Sequence, residues 1–169
     1  MAGYGDDAGL TAWLTDNGYS LPADPTPPSA AVLRNRGSNY IDAVYGARFL
    51  GSVVDASQER QWPREGAIVN GKLLPSDVVP AAVINASYQA AYQEAVSPGS
   101  LSVVGSVSST VKREKVGQLE VEYQSAQSDG TAAGITPLIS IVDGMLAPFL
   151  RCADLTYLGI LSIGGARCD

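Results

Sequence analysis

The chain contains no histidine. That absence removes the side chain whose ordinary pKa serves general acid–base chemistry at neutral pH. It also removes the commonest zinc ligand, and two cysteines, Cys152 and Cys168, cannot complete a four-ligand structural zinc site. Charge is scarce: Asp, Glu, Lys and Arg make up 17% of the chain, against roughly 25% in ordinary domains. Basic residues are scarcer still, eleven against seventeen acidic, for a net charge of −6. A protein that coats nucleic acid normally presents a basic face, and this balance speaks against one. No stretch reaches the ~18 consecutive apolar residues of a membrane span. The start, "MAGYGDDAGL", has neither the basic nor the apolar segment of a signal peptide. The expectation is a soluble product made in the cytoplasm, with no cofactor, no metal and no membrane partner.

What is present supports one domain. Hydrophobic residues are 46% of 169, enough for a single core at this size. Low charge beside many Ala, Ser, Val and Gly suggests a surface covered by something, and copies of the chain are the simplest candidate. Catalytic patterns are missing. "GILSIGG" lacks the spacing of a nucleophile elbow, and "GYGDDAG" follows no strand, so it is no phosphate cradle. Asp6 and Asp7 suit a helix cap, and Glu120 and Glu122 suit the solvated side of a strand. A non-enzymatic role is expected.

Four segments read as helix. The first covers residues 7–17, with Asp6 or Asp7 as cap, Leu10, Trp13 and Leu14 on one face and Gly18 as the stop. "PADPTPPS" then forms an extended linker. Ser29 caps a second helix reaching residue 50, with Leu33, Gly37, Tyr40, Val44 and Ala47 on its stripe; Gly37 weakens its middle and leaves room for a break near residues 36–38. Residues 51–79 read as mostly irregular, apart from a small hairpin at Asn70-Gly71; Pro63 pushes Trp62 towards extended backbone. Pro80 opens the third helix as its first residue, and the helix runs to Val96. Thr136 and Pro137 open the fourth, whose stripe is Leu138, Ile141, Val142, Met145, Leu146 and Phe149; Pro148 should kink or end it.

Between helices three and four lies "VKREKVGQLEVEYQ", residues 111–124. Three of the eleven basic residues, Lys112, Arg113 and Lys115, crowd its start. Strict alternation follows, Leu119, Val121 and Tyr123 against Glu120, Glu122 and Gln124. Serine-rich loops flank it, so it reads as an arm. An isolated hairpin is marginal in water and gains stability by pairing with or packing on another surface. Lys112, Arg113 and Lys115 beside Tyr123 could also contact phosphates next to one stacking aromatic. The interleaved glutamates favour cross-strand ion pairing and assembly instead.

The division expected is an N-terminal helix over residues 1–21, a proline-rich linker over 22–28 and a helical core over 29–96. A loop and hairpin arm over 97–134, a C-terminal helix over 135–150 and an extended tail over 151–169 complete it. The fold class is mainly α with a small β part: about four bundled helices, a long β-hairpin arm and the tail.

Four blocks also resemble a family of tailed-bacteriophage head and neck proteins. "QWPREGA" is similar to its Trp-Pro-Arg segment and "VPAAVINASYQAA" to its Val-Pro helix start. "VKREKVGQLEVEY" is close to its most recognisable string, and "MLAPFL" to its helix end. The blocks keep the family's order over residues 61–150. The family goes under two labels, DnaT-like single-stranded DNA-binding protein and head–tail adaptor. The resemblance implies a helical bundle with a hairpin arm. Under the adaptor label it implies a homo-oligomeric ring with the portal's symmetry, expected to be a dodecamer, in the neck of the virion. Its partners would be the portal protein, a tail-side neck or tail terminator protein, and genomic double-stranded DNA passing through without sequence-specific contact. The partner-binding residues expected are Lys112, Arg113, Lys115, Leu119, Val121 and Tyr123, with Trp62, Pro63 and Pro80 in structural roles. The single-stranded DNA-binding module is the alternative.

Overall fold

The computed structural model describes residues 2–23, 27–102, 113–116, 119–122 and 139–151, the stretch 113–122 by its backbone pairing. Helix α1, Asp7–Asp16, is capped by Asp6, whose Oδ1 accepts from Gly9 N at 2.7 Å. Its acidic cap and first residue complement the positive helix end. Gly18, at φ 68°, turns the chain left-handed. The N–H groups of Gly18 and Tyr19 then reach the carbonyls of Thr15 and Leu14 at 3.0 and 2.8 Å, satisfying carbonyls that a helix end leaves open.

Helices α2, Ala30–Tyr45, and α3, Ala81–Val96, form the central pair. The room that Gly37 leaves for a break is not used; α2 runs straight through it. A Cβ there would lie 2.2 Å from the Ser87 carbonyl oxygen and 2.7 Å from Ala91 N. Gly37 is therefore the point where two backbones touch, and burial against α3 outweighs its poor helix propensity. The helix also ends earlier than its stripe suggested. It gives way to a 3-10 turn, Gly46–Arg48, and Phe49 then enters the core, fully buried. Leu33, Tyr40, Ile41 and Tyr45 are buried, whereas Ala47 is exposed. Ser29 stands at the cap position without a capping side-chain bond. Pro80 lies one place before the first turn of α3, its carbonyl accepting from Val83 N at 2.9 Å.

The stretch expected to be mostly irregular holds two antiparallel pairs. Strand β1, Ser52–Val53, pairs with β2, Arg64–Glu65. Strand β3, Ile68–Val69, pairs with β4, Lys72–Leu73, through the expected turn. Asn70 and Gly71 both have positive φ, 51° and 74°, the primed geometry that matches strand twist. Helix α4, Ser140–Leu146, is shorter than its apolar stripe, and Pro148 sits in the 3-10 turn that ends it, Ala147–Phe149. Val142 and Leu146 face the core, while Ile141 is half exposed. The chain then pairs back on itself, Phe49 opposite Leu150, with Arg151 N donating to the Arg48 carbonyl at 2.7 Å.

Two clusters fill the interior. One gathers Tyr4, Tyr40, Ile41, Tyr45, Phe49, Trp62, Ala67, Val83, Ala86, Ala90, Val142 and Leu146. The other gathers Leu10, Leu14, Leu33, Tyr88, Ala91 and Ala95, sealing α1 onto the central pair. The fold is thus mainly α with small hairpins, as expected. Thr136, Pro137, Leu138, both cysteines and the tail beyond Arg151 lie outside the described residues.

Candidate functional site: the hairpin arm and its anchorage

The arm is rooted beside one side chain. After α3 the chain turns through Ser97–Ser102, with Ser100 N bonded to the Ser97 carbonyl at 3.0 Å and Ser102 N to the Gly99 carbonyl at 3.2 Å. Leu101 packs against the first cluster, and Leu101 and Ser102 line the same open cavity of about 680 Å³ as Arg36, Asn39, Tyr40 and Glu94. On the return, Ile139 N donates to Tyr40 Oη at 3.3 Å. Ser102 and Ile139, the described residues on either side of 103–138, are thus both tied to Tyr40: Ser102 lines the same cavity and Ile139 bonds the phenol oxygen. Glu94 stiffens this root: its Oε1 accepts from Arg36 at 3.0 Å and its Oε2 from Gly99 N at 3.1 Å. The carboxylate is buried while the arginine is half exposed.

Within the arm, β5, Arg113–Val116, pairs antiparallel with β6, Leu119–Glu122. The register sets Arg113 opposite Glu122, Glu114 opposite Val121, Lys115 opposite Glu120 and Val116 opposite Leu119. Directly opposite residues share a face. One face therefore carries the positions Arg113, Lys115, Glu120 and Glu122, two cations against two anions. The other carries Val116, Leu119 and Val121, with Glu114 among them. This is the alternation expected for Leu119 and Val121. Lys112 and Tyr123 lie outside the described residues.

Trp62 and its neighbours lock the layer beneath. The Trp62–Pro63 peptide bond is cis. The indole is buried edge-on against Phe49 and Phe149, with centroids at 5.6 and 6.1 Å, a favoured aromatic arrangement. Its backbone N–H donates to Tyr4 Oη at 3.2 Å. Arg64, which the sequence did not single out, is 6% exposed. Its guanidinium ties the Leu50 and Gly51 carbonyls at 2.8 and 2.9 Å and reaches Gln61 Oε1 at 3.1 Å. Burial, and secondarily the positive charge of Arg151, pull its pKa down.

Two further arginines of the bundle are used in the same inward manner. Arg34 bonds the carbonyls of Gly3 and Gly5, both at 2.7 Å, and Asp7 at 2.8 Å. Arg60 pairs with Asp42 at 3.1 Å and bonds the Ala2 carbonyl at 2.9 Å. Tyr4 Oη donates to Asp42, and burial, with that carboxylate's charge, raises the phenol's pKa. Arg34 and Arg60 thus strap the N-terminus to α2 and Arg64 ties the β1–β2 layer together, rather than lining a groove for an anionic polymer. Among the described residues no His, Cys, Asp and Glu cluster into a metal-binding group, and no helix is long and apolar enough to cross a membrane.

One family model, "Putative DnaT-like ssDNA binding protein", matches residues 3–160. The chain belongs to this family. The match spans the bundle, the arm and the paired segment around Leu150 as one unit. No curated protein and no solved structure matches the chain.

Proposed function

We propose that this member of the DnaT-like family is a structural, non-enzymatic adaptor that assembles as a ring between portal and tail in a bacteriophage neck. The observation that carries the reading is the arm. The described residues on either side of it, Ser102 and Ile139, are both tied to Tyr40, its register collects Val116, Leu119 and Val121 on one face, and Arg34, Arg60 and Arg64 are spent on internal carbonyls and carboxylates. In the proposed mechanism the apolar face packs on a second polypeptide, each large side chain contributing about 1.5–3 kcal/mol when fully covered. Lys112, Arg113 and Lys115 set register through ion pairs of under ~1 kcal/mol each in exposed settings. A net charge of −6 keeps the ring from adhering to DNA in transit. The neighbours would be a further copy, the portal and a tail-side protein.

The description of the family favours a second reading, a single-stranded DNA-binding module, more than it favours the first. In that case Lys112, Arg113 and Lys115 would contact phosphates and Tyr123 would stack a base. Fluorescence anisotropy with labelled oligo-dT separates the two. The adaptor reading expects no binding at physiological salt. Binding that falls steeply with salt, and is lost on changing Lys112, Arg113 and Lys115 to Ala, would replace it with the DNA-binding module.

A further inference from the structure

The arginines of the described bundle fall into two sets. Arg34, Arg36 and Arg60 pair with the carboxylates of Asp7, Glu94 and Asp42. Arg48, Arg64 and Arg151 pair with no carboxylate among the described residues, and these three gather where the chain pairs back on itself. Across the Phe49–Leu150 bridge, Arg48 stands opposite Arg151, whose backbone N–H donates to the Arg48 carbonyl. Buried Arg64 and exposed Arg151 both donate to the Gly51 carbonyl, at 2.9 and 3.1 Å. Two guanidinium nitrogens on one oxygen stand within about 6 Å of each other, where like charges disfavour one another. Like charges directly opposite across paired backbone are destabilising too. The fold thus concentrates positive charge at one place and supplies no acid to offset it.

In a chain of net charge −6, uncompensated charge of the minority sign is what an anion site requires. The three side chains divide the work. Arg64 is spent inside, on the Leu50 and Gly51 carbonyls and Gln61, and forms a fixed positive floor. Arg48 and Arg151 are exposed. The Arg48 guanidinium lies over the Tyr45 ring, 5.8 Å from its centroid, a contact that uses none of its N–H donors. Arg151 gives one side-chain nitrogen to Gly51 and keeps the rest of its fork for a ligand. The patch is too compact for a nucleic-acid strand, which is gripped by cations spaced along its backbone and by rings that stack its bases. The rings beside this patch are not free to stack: Tyr45, Phe49 and Trp62 are buried and Phe149 is half-buried. A carboxylate, planar and able to accept two N–H bonds from one guanidinium, fits the donors present. We propose that Arg48 and Arg151, set beside Arg64, form a carboxylate site that takes an acidic peptide segment of a partner protein. This contact needs neither the arm nor a ring, so it stands or falls apart from the adaptor reading.

The test follows a labelled hexaglutamate peptide by fluorescence anisotropy with the full-length chain at low salt. The wild type should bind it despite its own negative charge, and added salt should weaken the complex. Arg48→Gln/Arg151→Gln should weaken binding about tenfold, the loss of two exposed ion pairs, with unchanged far-UV circular dichroism. Arg48→Lys/Arg151→Lys keeps the charge and should recover only part of the affinity, because an ammonium lacks the guanidinium fork. Lys72→Gln removes one exposed positive charge on another element and should leave binding unchanged. Should the double glutamine variant lose its helical spectrum, Arg48→Gln alone gives the same reading with a smaller loss. A wild type that does not bind hexaglutamate, or glutamine variants that bind it equally well, would overturn the site. Tighter binding of labelled oligo-dT than of hexaglutamate, lost in the double glutamine variant, would make the ligand a phosphate and overturn the acidic peptide. A rise in hexaglutamate binding on Asp154→Asn would show that the chain's own tail supplies the carboxylate, and would overturn the partner protein.

Discussion

Replacing Gly37 with alanine tests how α2 and α3 meet. In an open helix interior this change gains about 1 kcal/mol, because glycine is the more costly residue to order. At Gly37 the new methyl would sit 2.2 Å from the Ser87 carbonyl oxygen and 2.7 Å from Ala91 N. Those are backbone atoms within a helix, so no side chain can swing aside. The helices must separate by roughly 1 Å to restore van der Waals contact. Overfilling a packed core costs about 1–3 kcal/mol, and a backbone clash belongs at the upper end. After the propensity gain, the net loss is about 2 kcal/mol, or roughly 4–8 °C in Tm for a chain of this size. Gly144→Ala is the control, since a Cβ there meets nothing within 4 Å; it should hold or raise stability by up to about 1 kcal/mol. Urea unfolding followed by far-UV circular dichroism measures both. Equal or greater stability in Gly37→Ala would refute the close approach of the two helices.

Other changes probe the layers around that pair. Arg64→Ala leaves the Leu50 and Gly51 carbonyls without their donor and should cost about 2–3 kcal/mol in urea unfolding. Arg64→Lys should recover little of it, because one ammonium cannot reproduce the guanidinium fork; full recovery by lysine would show that charge alone matters. Gly71→Ala, at φ 74°, should cost about 1–2 kcal/mol by the same assay, and no loss would mean that the turn is not left-handed. Burial raises the pKa of Tyr4, Tyr45 and Tyr40. The unfolded chain therefore releases these protons first, near pH ~10. Their contribution is complete below that value and is lost as pH climbs from there towards the folded-state values. The urea midpoint should fall between about pH 8 and about pH 11, and an unchanged midpoint would place the phenols in water.

Helix caps and turns were the legible part of this sequence because their causes are local. Asp6 ahead of an apolar stripe, Gly18 after it and Asn70-Gly71 between short apolar runs each name their own geometry. Gly37 was misread because propensity describes a lone helix, whereas its role comes from a neighbour some fifty residues away. The second helix was drawn too long for a related reason. Ala47 continues the period, but the chain turns at Gly46 so that Phe49 can reach Trp62. The β1–β2 pair has two-residue strands and no alternation to read. Nothing local in "QWPREG" marks Arg64 as buried; only the fold brings Leu50 and Gly51 around it. Along the arm, alternation revealed which positions share a face and the register agrees. Its ties to Tyr40 and the meeting of Arg48, Arg64 and Arg151 come from tertiary structure, and no short-range pattern announced them.

The account stands on where position 119 makes its contact. A benzoylphenylalanine photocrosslinker introduced there in the full-length chain, illuminated and resolved by mass, reports it directly. We expect an adduct at a multiple of 17.5 kDa, with peptides from a second chain joined to the arm. Crosslinks confined to peptides of the same chain, with no higher-mass species, would contradict it.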